Sequence, residues 1–430
     1  QKSVCKDCPI AYIAETEQKQ HNYNTQGFCT ECDAYQPAVL TTEQYDINGD
    51  NSKDDVYEIS NAGQLYWFAG LVNGTLPGVD QNRAANAVLT TDIVVNKGVL
   101  KSDGTLNDGT FKEWTPIGTD KYSYTGTVDG KNYTICGLYF NQKGKAYVGL
   151  FGKVESVGQV SNVSVLDSYI RGQSKVGGVC GENSGTITNC NNTGIVSGDD
   201  YIGGVCGQNS SRNITNCNNT GTVSGDDYIG GVCGQNYATI MRSNNTGIVS
   251  GRSKVGGVCG YIGALATNCN NAGTVRGDDY VGGVCGENDG SIARSNNTGI
   301  VSGIETYVGG VCGYNKRNIK NCYYDSVVYT GKAIGFVVKG TVTNVEGKTT
   351  EQYKSGEVAY LLQGDQEDSV WGQTLSEEGG DPYPVLGGKK VYQNQYYDSC
   401  VEDKNKIAYA YSNEAKAITA LGHDYLVTEE

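Results

Sequence analysis

Four cysteines near the start of the chain have the spacing of a metal site. Cys5-x-x-Cys8 and Cys29-x-x-Cys32 form C-x2-C-x20-C-x2-C, in which two knuckles carry four thiolates to the corners of a tetrahedron, the geometry of a structural zinc ion. A segment this short has too little core to fold unaided and needs such a staple. Two disulfides of the kind found in secreted proteins satisfy the same spacing, so both readings stand, and in both the role is structural. His21 lies between the pairs and could replace a ligand, although four cysteines already fill the shell.

Carboxylates supply two further candidates. Asp46, Asn48, Asp50 and Asp54 alternate as in a calcium loop, but Asn51 stands at the usual glycine position and Tyr57 at the bidentate acid. A polar linker is the expectation, with calcium as its rival. Paired aspartates recur later as Asp199-Asp200, Asp226-Asp227 and Asp278-Asp279, with Arg252 and Lys254 in the intervening copy. Like charges stacked at strand spacing repel. The corner therefore needs the basic residues, solvent or a bound cation, which makes it the candidate cation or ligand site. Arg276-Gly277-Asp278 spells a receptor-binding triplet, yet the repeat's own Ser-Gly-Asp-Asp template accounts for it.

These aspartates belong to a phrase, VGGVCGENSGTITNCNNTGIVSGDDY, that restarts at Val176, Ile202, Ile229, Val255, Val281 and Val308, a period of 26 or 27 residues. A fixed period in that range marks a solenoid whose coils bury their apolar sides against their neighbours. Three short strands per copy, around VGGVC, TITNC and IVSG, predict an all-β, right-handed parallel β-helix with a narrow triangular core. Equivalent residues then stack. Asn183, Asn209, Asn236, Asn288 and Asn315 predict one amide ladder, and Asn192, Asn219, Asn245, Asn271 and Asn297 a second. Cysteines fill one position in all six copies and a second at Cys190, Cys217, Cys269 and Cys322, with serine at 243 and 295. Pairing the two positions by disulfides would strand Cys233 and Cys285, so the thiols read as small core side chains.

Around the repeats, residues 1–38 form the zinc-ribbon-like cysteine unit, 41–147 a cap helix with the first coils, 148–325 the repeats, 326–397 a C-terminal cap and 398–430 a polar tail. Ser60 to Asn73 predicts a helix stopped by Gly74, with Trp67 and Trp114 in the core of that cap. Thr349 to Gln363 predicts a second helix, with Thr349 and Gln352 placed for a capping box, that closes the last coil. About eight coils are expected. Gly is 61 of 430 residues, about twice the usual share, as tight turns between short strands require.

The net charge of −14 opposes nucleic acid and anionic membrane partners. No apolar run reaches 18 residues, so no transmembrane segment is predicted. A first residue Gln1 reads as a trimmed start. The tyrosine excess, 31 against six phenylalanines and three tryptophans, suits a thin body with many half-wet positions or a binding surface.

The phrase V-G-G-V-C-G-x-N…I-x-N-C…G-x-V-S-G resembles the GLUG motif of bacterial surface proteins over 148–325. NAGQLYWFAGLVNG, EWTPIG, SGEVAYLLQG and DPYPVLGG are similar to segments that bracket such arrays. The resemblance implies an exported, adhesin-like β-helix at the cell surface or outside the cell, and such repeats also accompany IgA-specific metallopeptidases. It carries over no catalytic residue. The chain contains two histidines, His21 and His423, with no H-E-x-x-H and no G-x-S-x-G. The expected role is a non-catalytic binding or spacer module for a glycan or surface protein. A β-helix carbohydrate-active enzyme using carboxylates such as Asp199 and Asp226 is the alternative, as is the non-catalytic part of a larger surface protease.

Overall fold

The computed structural model describes residues 2–4, 11–13, 21–49, 51–304, 307–376, 379–397 and 405–410. Cys5, Cys8, Asp50, Cys400 and His423 lie outside them. The chain is a parallel β-solenoid of about 11 turns. One column shows the stack from end to end, running Tyr57, Ala87, Val128, Val160, Ile187 and onward through Ile319 to Val342. At about 4.8 Å per rung the stack is on the order of 50 Å long. The count exceeds the expected eight because the first coils lack the repeated phrase. They are drawn out by long loops at 74–85 and 95–126 while keeping the register.

Each coil has the three expected strand positions, two of them split. In the first full repeat they are Ser174–Gly177 with Cys180–Asn183, then Thr186–Thr188 with Asn191–Asn192, and finally Ile195–Ser197. A left-handed Asn189 marks the split between Thr188 and Asn191, the other split falls at Gly178 and Val179, and a second left-handed residue, Lys175, sits inside the first strand. Asn189 has φ 54° and Lys175 φ 52°. A strand alternates in and out, and one αL residue lets two neighbours face outward before the next turns in. Thr188 and Asn189 therefore both face solvent and Cys190 turns inward, while Ser174 and Lys175 face out before buried Val176. The same two columns recur, as Asn216, Asn268 and Asn321, and as Tyr201, Tyr228 and Tyr280.

The core is double. Val179, Cys180, Ile187 and Cys190 belong to one apolar cluster, and Val176 and Val196 to another. Between them runs the second predicted amide ladder. A Cβ on Gly178 would sit 2.5 Å from the Asn192 Oδ1, so glycine lets the amide wall pass between the cores. Asn192 donates to Asn219 at 2.9 Å, Asn219 to Asn245 at 2.8 Å, and the series runs to Asn297. Each ladder amide also bonds its own turn, as Asn219 does with the Gly221 carbonyl at 3.0 Å. The first ladder forms likewise, Asn183 to Asn209 to Asn236 at 2.8 Å each, and is interrupted by Ile262 in the fourth copy.

Both cysteine positions are buried and unpaired. Burial pushes the thiols of Cys206, Cys259 and Cys285 well up, and those of Cys269 and Cys322 to about 12. Such thiols are inert core filler. Ser243 fits the same site because its hydroxyl donates to the Met241 carbonyl at 3.0 Å and accepts from the Cys217 amide at 3.2 Å.

Helix α1, Ala62–Asn73, is capped by Asn61 and ended by Gly74 in the left-handed region. It lies over the first coils, where Leu65, Phe68, Leu71 and Val72 are buried, and Trp114 packs edge-on against Tyr66. The loop expected as a linker is a hairpin turn between antiparallel strands Val39–Tyr45 and Asp54–Ile59. Asp46 accepts from the Gly49 and Asn51 amides, and Asp54 from the Ile47 amide.

The second predicted helix is two, α2 (Thr350–Lys354), which has the expected capping box, and α3 (Glu357–Gln363). They part at Gly356, φ 89°. Their location also differs from the expectation. Residues 350–376 and 379–391 pack along the flank of several coils instead of across the last one. There the Tyr353 hydroxyl donates to Asn296 at 2.7 Å and the Trp371 indole to Asn268 at 3.0 Å.

Asn219→Ala deletes three buried hydrogen bonds, each leaving a group that costs about 1–3 kcal/mol unsatisfied. The variant is expected to lose on the order of 3 kcal/mol in denaturant unfolding. A loss below about 0.5 kcal/mol would contradict a stabilising ladder.

Candidate functional site

The left-handed column beside Val176 carries large side chains outward. Tyr201 and Tyr228 stack at 4.9 Å between ring centroids and 23° between planes, and Tyr228 meets Tyr261 edge-on at 6.1 Å. Tyr237, 48% exposed, lies 5.8 Å from Tyr261. A second group follows, with Tyr280 on Tyr307 at 5.1 Å and 11°, and Tyr314 on Phe336 at 5.6 Å and 12°. Parallel strands hold these rings, because coils in register put each one a rung from its equivalent.

Beside the aromatic groups lie charged pairs that the sequence reading missed. Glu287 is 4% exposed and Glu182 8%. Lys254 lies 3.0 Å from Glu287, and Lys316 pairs with the same carboxylate. Lys175 lies 2.6 Å from Glu182. Lys254 also sits 4.1 Å from the Tyr228 ring centroid and bonds its hydroxyl at 2.6 Å. Burial opposes the Lys254 charge, but the bonds to Tyr228 and Glu287 outweigh it and hold the ammonium above its ordinary pKa. Glu182 and Glu287 share the position two residues after the repeat cysteine, where other copies have Gln208, Gln235, Tyr261 or Tyr314. That variation was the only available signal.

The paired aspartates do come together. Asp200 stands in register with Asp227, Asp227 with Ser253, and Ser253 with Asp279. Asp199, Asp226 and Asp278 form the adjoining corner, where the Asp226 amide bonds the Asp199 carbonyl and the Asp278 amide that of Arg252. Arg252 relieves the stack as expected, 2.7 Å from Asp227. Lys254 does not. Its left-handed backbone turns it to the tyrosine face. The Asp200 carboxyl is held above its ordinary value by burial first, then by Asp227, Asp199 and Asp226. Arg276 and Gly277 of the receptor-like triplet lie in a strand stacked between Val249–Ser250 and Val301–Gly303.

Among the described residues, the group whose ligand atoms converge on one point is His21, Cys29 and Cys32, all within 4.8 Å of one another. Of the four cysteines expected to form the site, Cys5 and Cys8 lie outside the described residues, and His21 stands beside Cys29 and Cys32. The Glu31 backbone, with Cys32 and His21, lowers the Cys29 thiol to about 7.

A cleft of about 580 Å³ separates the flank from residues 384–387, lined by Asn218, Asn244 and Asn270. These amides are bonded along their own ladder, Asn218 to Asn191 and Asn270 to Asn244 at 2.9 Å each.

Because Asp200 keeps its proton to higher pH when folded, its ionisation disfavours the fold. That contribution to stability is present below the unfolded value near 3.8 and is lost as pH rises through the raised folded value. Asp200→Asn should therefore melt higher than the parent at about pH 7, with the difference gone near pH 3.5. A lower melting temperature at pH 7 would mean that a bound cation, not solvent, balances the corner.

No family model matches the chain. A stretch of 112 residues is 34% identical to Halomucin of Haloquadratum walsbyi, covering 26% of this chain and 1% of that protein. A stretch of 79 residues is 35% identical to a protein of Evansella cellulosilytica named "Putative Gly-rich membrane protein", covering 18% and 9%. A crystal structure from Bacteroides ovatus, described as a "putative immunoglobulin A1 protease", aligns over 77% of this chain and 92% of that one, with 18% identity and a TM-score of 0.49. The chain thus matches small fractions of its curated relatives, and no helix among its described residues is long and apolar enough to cross a membrane.

Proposed function

We propose that the chain is a non-catalytic binding module of a secreted or cell-surface protein, and that its tyrosine face holds a neutral glycan. The observation that carries this reading is a column of tyrosines in left-handed backbone: Tyr201, Tyr228 and Tyr280. That conformation costs roughly 1–2 kcal/mol per residue for anything but glycine, asparagine or aspartate. The fold uses asparagine for most of its other left-handed column, so bulky rings in this one are a strain kept for something other than folding. Flat, half-buried rings with wet hydroxyls suit the apolar faces and hydroxyl edges of sugars. The buried Glu182 and Glu287 are paired with lysines, and Lys254 and Lys316 lie against the Tyr228 and Tyr314 rings. The net charge of −14 disfavours an acidic polymer.

A non-catalytic role is supported by the symmetry of the acids. Asp200 and Asp227 occupy one repeated register, so these carboxylates follow the repeat instead of breaking it. One curated relative is named as a membrane protein, which agrees with an address at the cell surface.

The test is saturable binding of the intact chain to immobilised neutral polysaccharides. Replacing both Tyr201 and Tyr228 by alanine should weaken it by about tenfold or more, the effect of about 1.4 kcal/mol. Undiminished binding would place the site elsewhere. Release of new reducing ends by the purified chain would make it an enzyme.

A further inference from the structure

Among the described residues, packing explains the ladder cysteines but not Cys29 and Cys32. The ladder thiols are buried in the apolar core. Cys29 is half-buried and Cys32 exposed, as is His21. Nothing apolar is gained by bringing them together, yet the His21 Nδ1 lies 3.4 Å from the Cys32 sulfur and 3.6 Å from the Cys29 sulfur. Hydrogen bonding alone accounts poorly for this. A neutral imidazole nitrogen has one lone pair and can accept one proton, so two thiols cannot both be satisfied by it.

A metal ion does account for it. In a tetrahedral zinc site with Zn–S of about 2.3 Å and Zn–N of about 2.0–2.1 Å, the nitrogen–sulfur edge is about 3.5 Å. The observed separations bracket that value. Thiolate and imidazole ligands together select zinc over the hard cations calcium and magnesium, which take oxygen. A tight turn brings the two cysteines to one side of the segment. The Cys29 amide closes the turn on the Ala34 carbonyl at 2.9 Å.

We infer that His21, Cys29 and Cys32 bind one zinc ion, and that the ion locks residues 21–38 onto the end of the solenoid.

The locking follows from what the segment touches. The Gly63 amide at the start of α1 bonds the Gln26 carbonyl at 2.7 Å, and Asn61 donates to Gln36 at 3.0 Å. A Cβ on Gly63 would lie 1.9 Å from the Gly27 carbonyl oxygen, so the two backbones meet with no room for a side chain. Phe28 and Tyr35 pack on Tyr66 at 5.7 and 5.2 Å, with Lys112 over all three rings. These contacts cover the outer side of α1, and a zinc clip would add a further constraint on the segment.

Zinc content and the zinc K-edge absorption spectrum of the intact chain test this. One zinc per chain in a mixed nitrogen–sulfur shell is expected, and His21→Ala should weaken retention against a competing chelator by at least about tenfold. An all-sulfur shell, with retention lost in Cys5→Ser or Cys8→Ser and kept in His21→Ala, would overturn the assignment of His21. So would a Cys29–Cys32 disulfide with no bound zinc. Chelation should also open residues 21–38 to protease before the coils are cut, and equal resistance with and without chelator would overturn the locking role.

Discussion

Every coil of a parallel solenoid sets each residue beside its own equivalent, about 4.8 Å away, and this single constraint sorts the side chains. A residue is acceptable at a position only if a column of its own kind is acceptable there. Valine and isoleucine pass because apolar contact has no sign. Asparagine passes because its amide is donor and acceptor at once, so one rung's Nδ2 meets the next rung's Oδ1, as from Asn192 through Asn297. Tyrosine passes because rings stack near the rung spacing. Aspartate passes only with help, and Arg252 gives it at Asp227.

The second determinant is local. Left-handed residues at two places in each coil break the in–out alternation that strands otherwise impose. The break after Asn189 brings Cys190 inside, and the break at Lys175 places a column of tyrosine and lysine outside. The first is a packing device and suits asparagine, whose short side chain tolerates the conformation. The second uses residues that tolerate it poorly, which makes it the feature of the coil that packing leaves unexplained.

The two ends of the stack are treated differently. At the first coils α1 covers the apolar interior, and residues 21–38 cover α1. At the last rung, Ile334–Val337 with Val342–Lys348, the side chains of Phe336, Val337, Val338 and Val342 are exposed. The C-terminal helices instead bury Tyr353, Leu362 and Trp371 against the flank. Their anchors are Asn268, Arg294 and Asn296, so that flank is closed over those coils while the tyrosine face stays open.

Periodicity alone determined the parallel coils, both amide ladders and the burial of the repeat cysteines, because in-register stacking follows from a fixed period without knowledge of the coil's shape. It also determined the meeting of the aspartates. Tertiary structure decided what depends on backbone conformation inside the period: the double core, the outward turn of Tyr201 and Tyr228, and the diversion of Lys254 from the acidic corner to Glu287. A letter pattern does not distinguish a left-handed residue from an extended one, and a single such residue reverses the facing of all that follow. The first coils were hidden for a related reason, since their register persists after their phrase is lost. His21 was visible from the start as a histidine between two cysteine pairs. Its place beside Cys29 and Cys32 was decided by the turn that the Cys29 amide makes with the Ala34 carbonyl, a constraint in space that spacing along the chain does not contain.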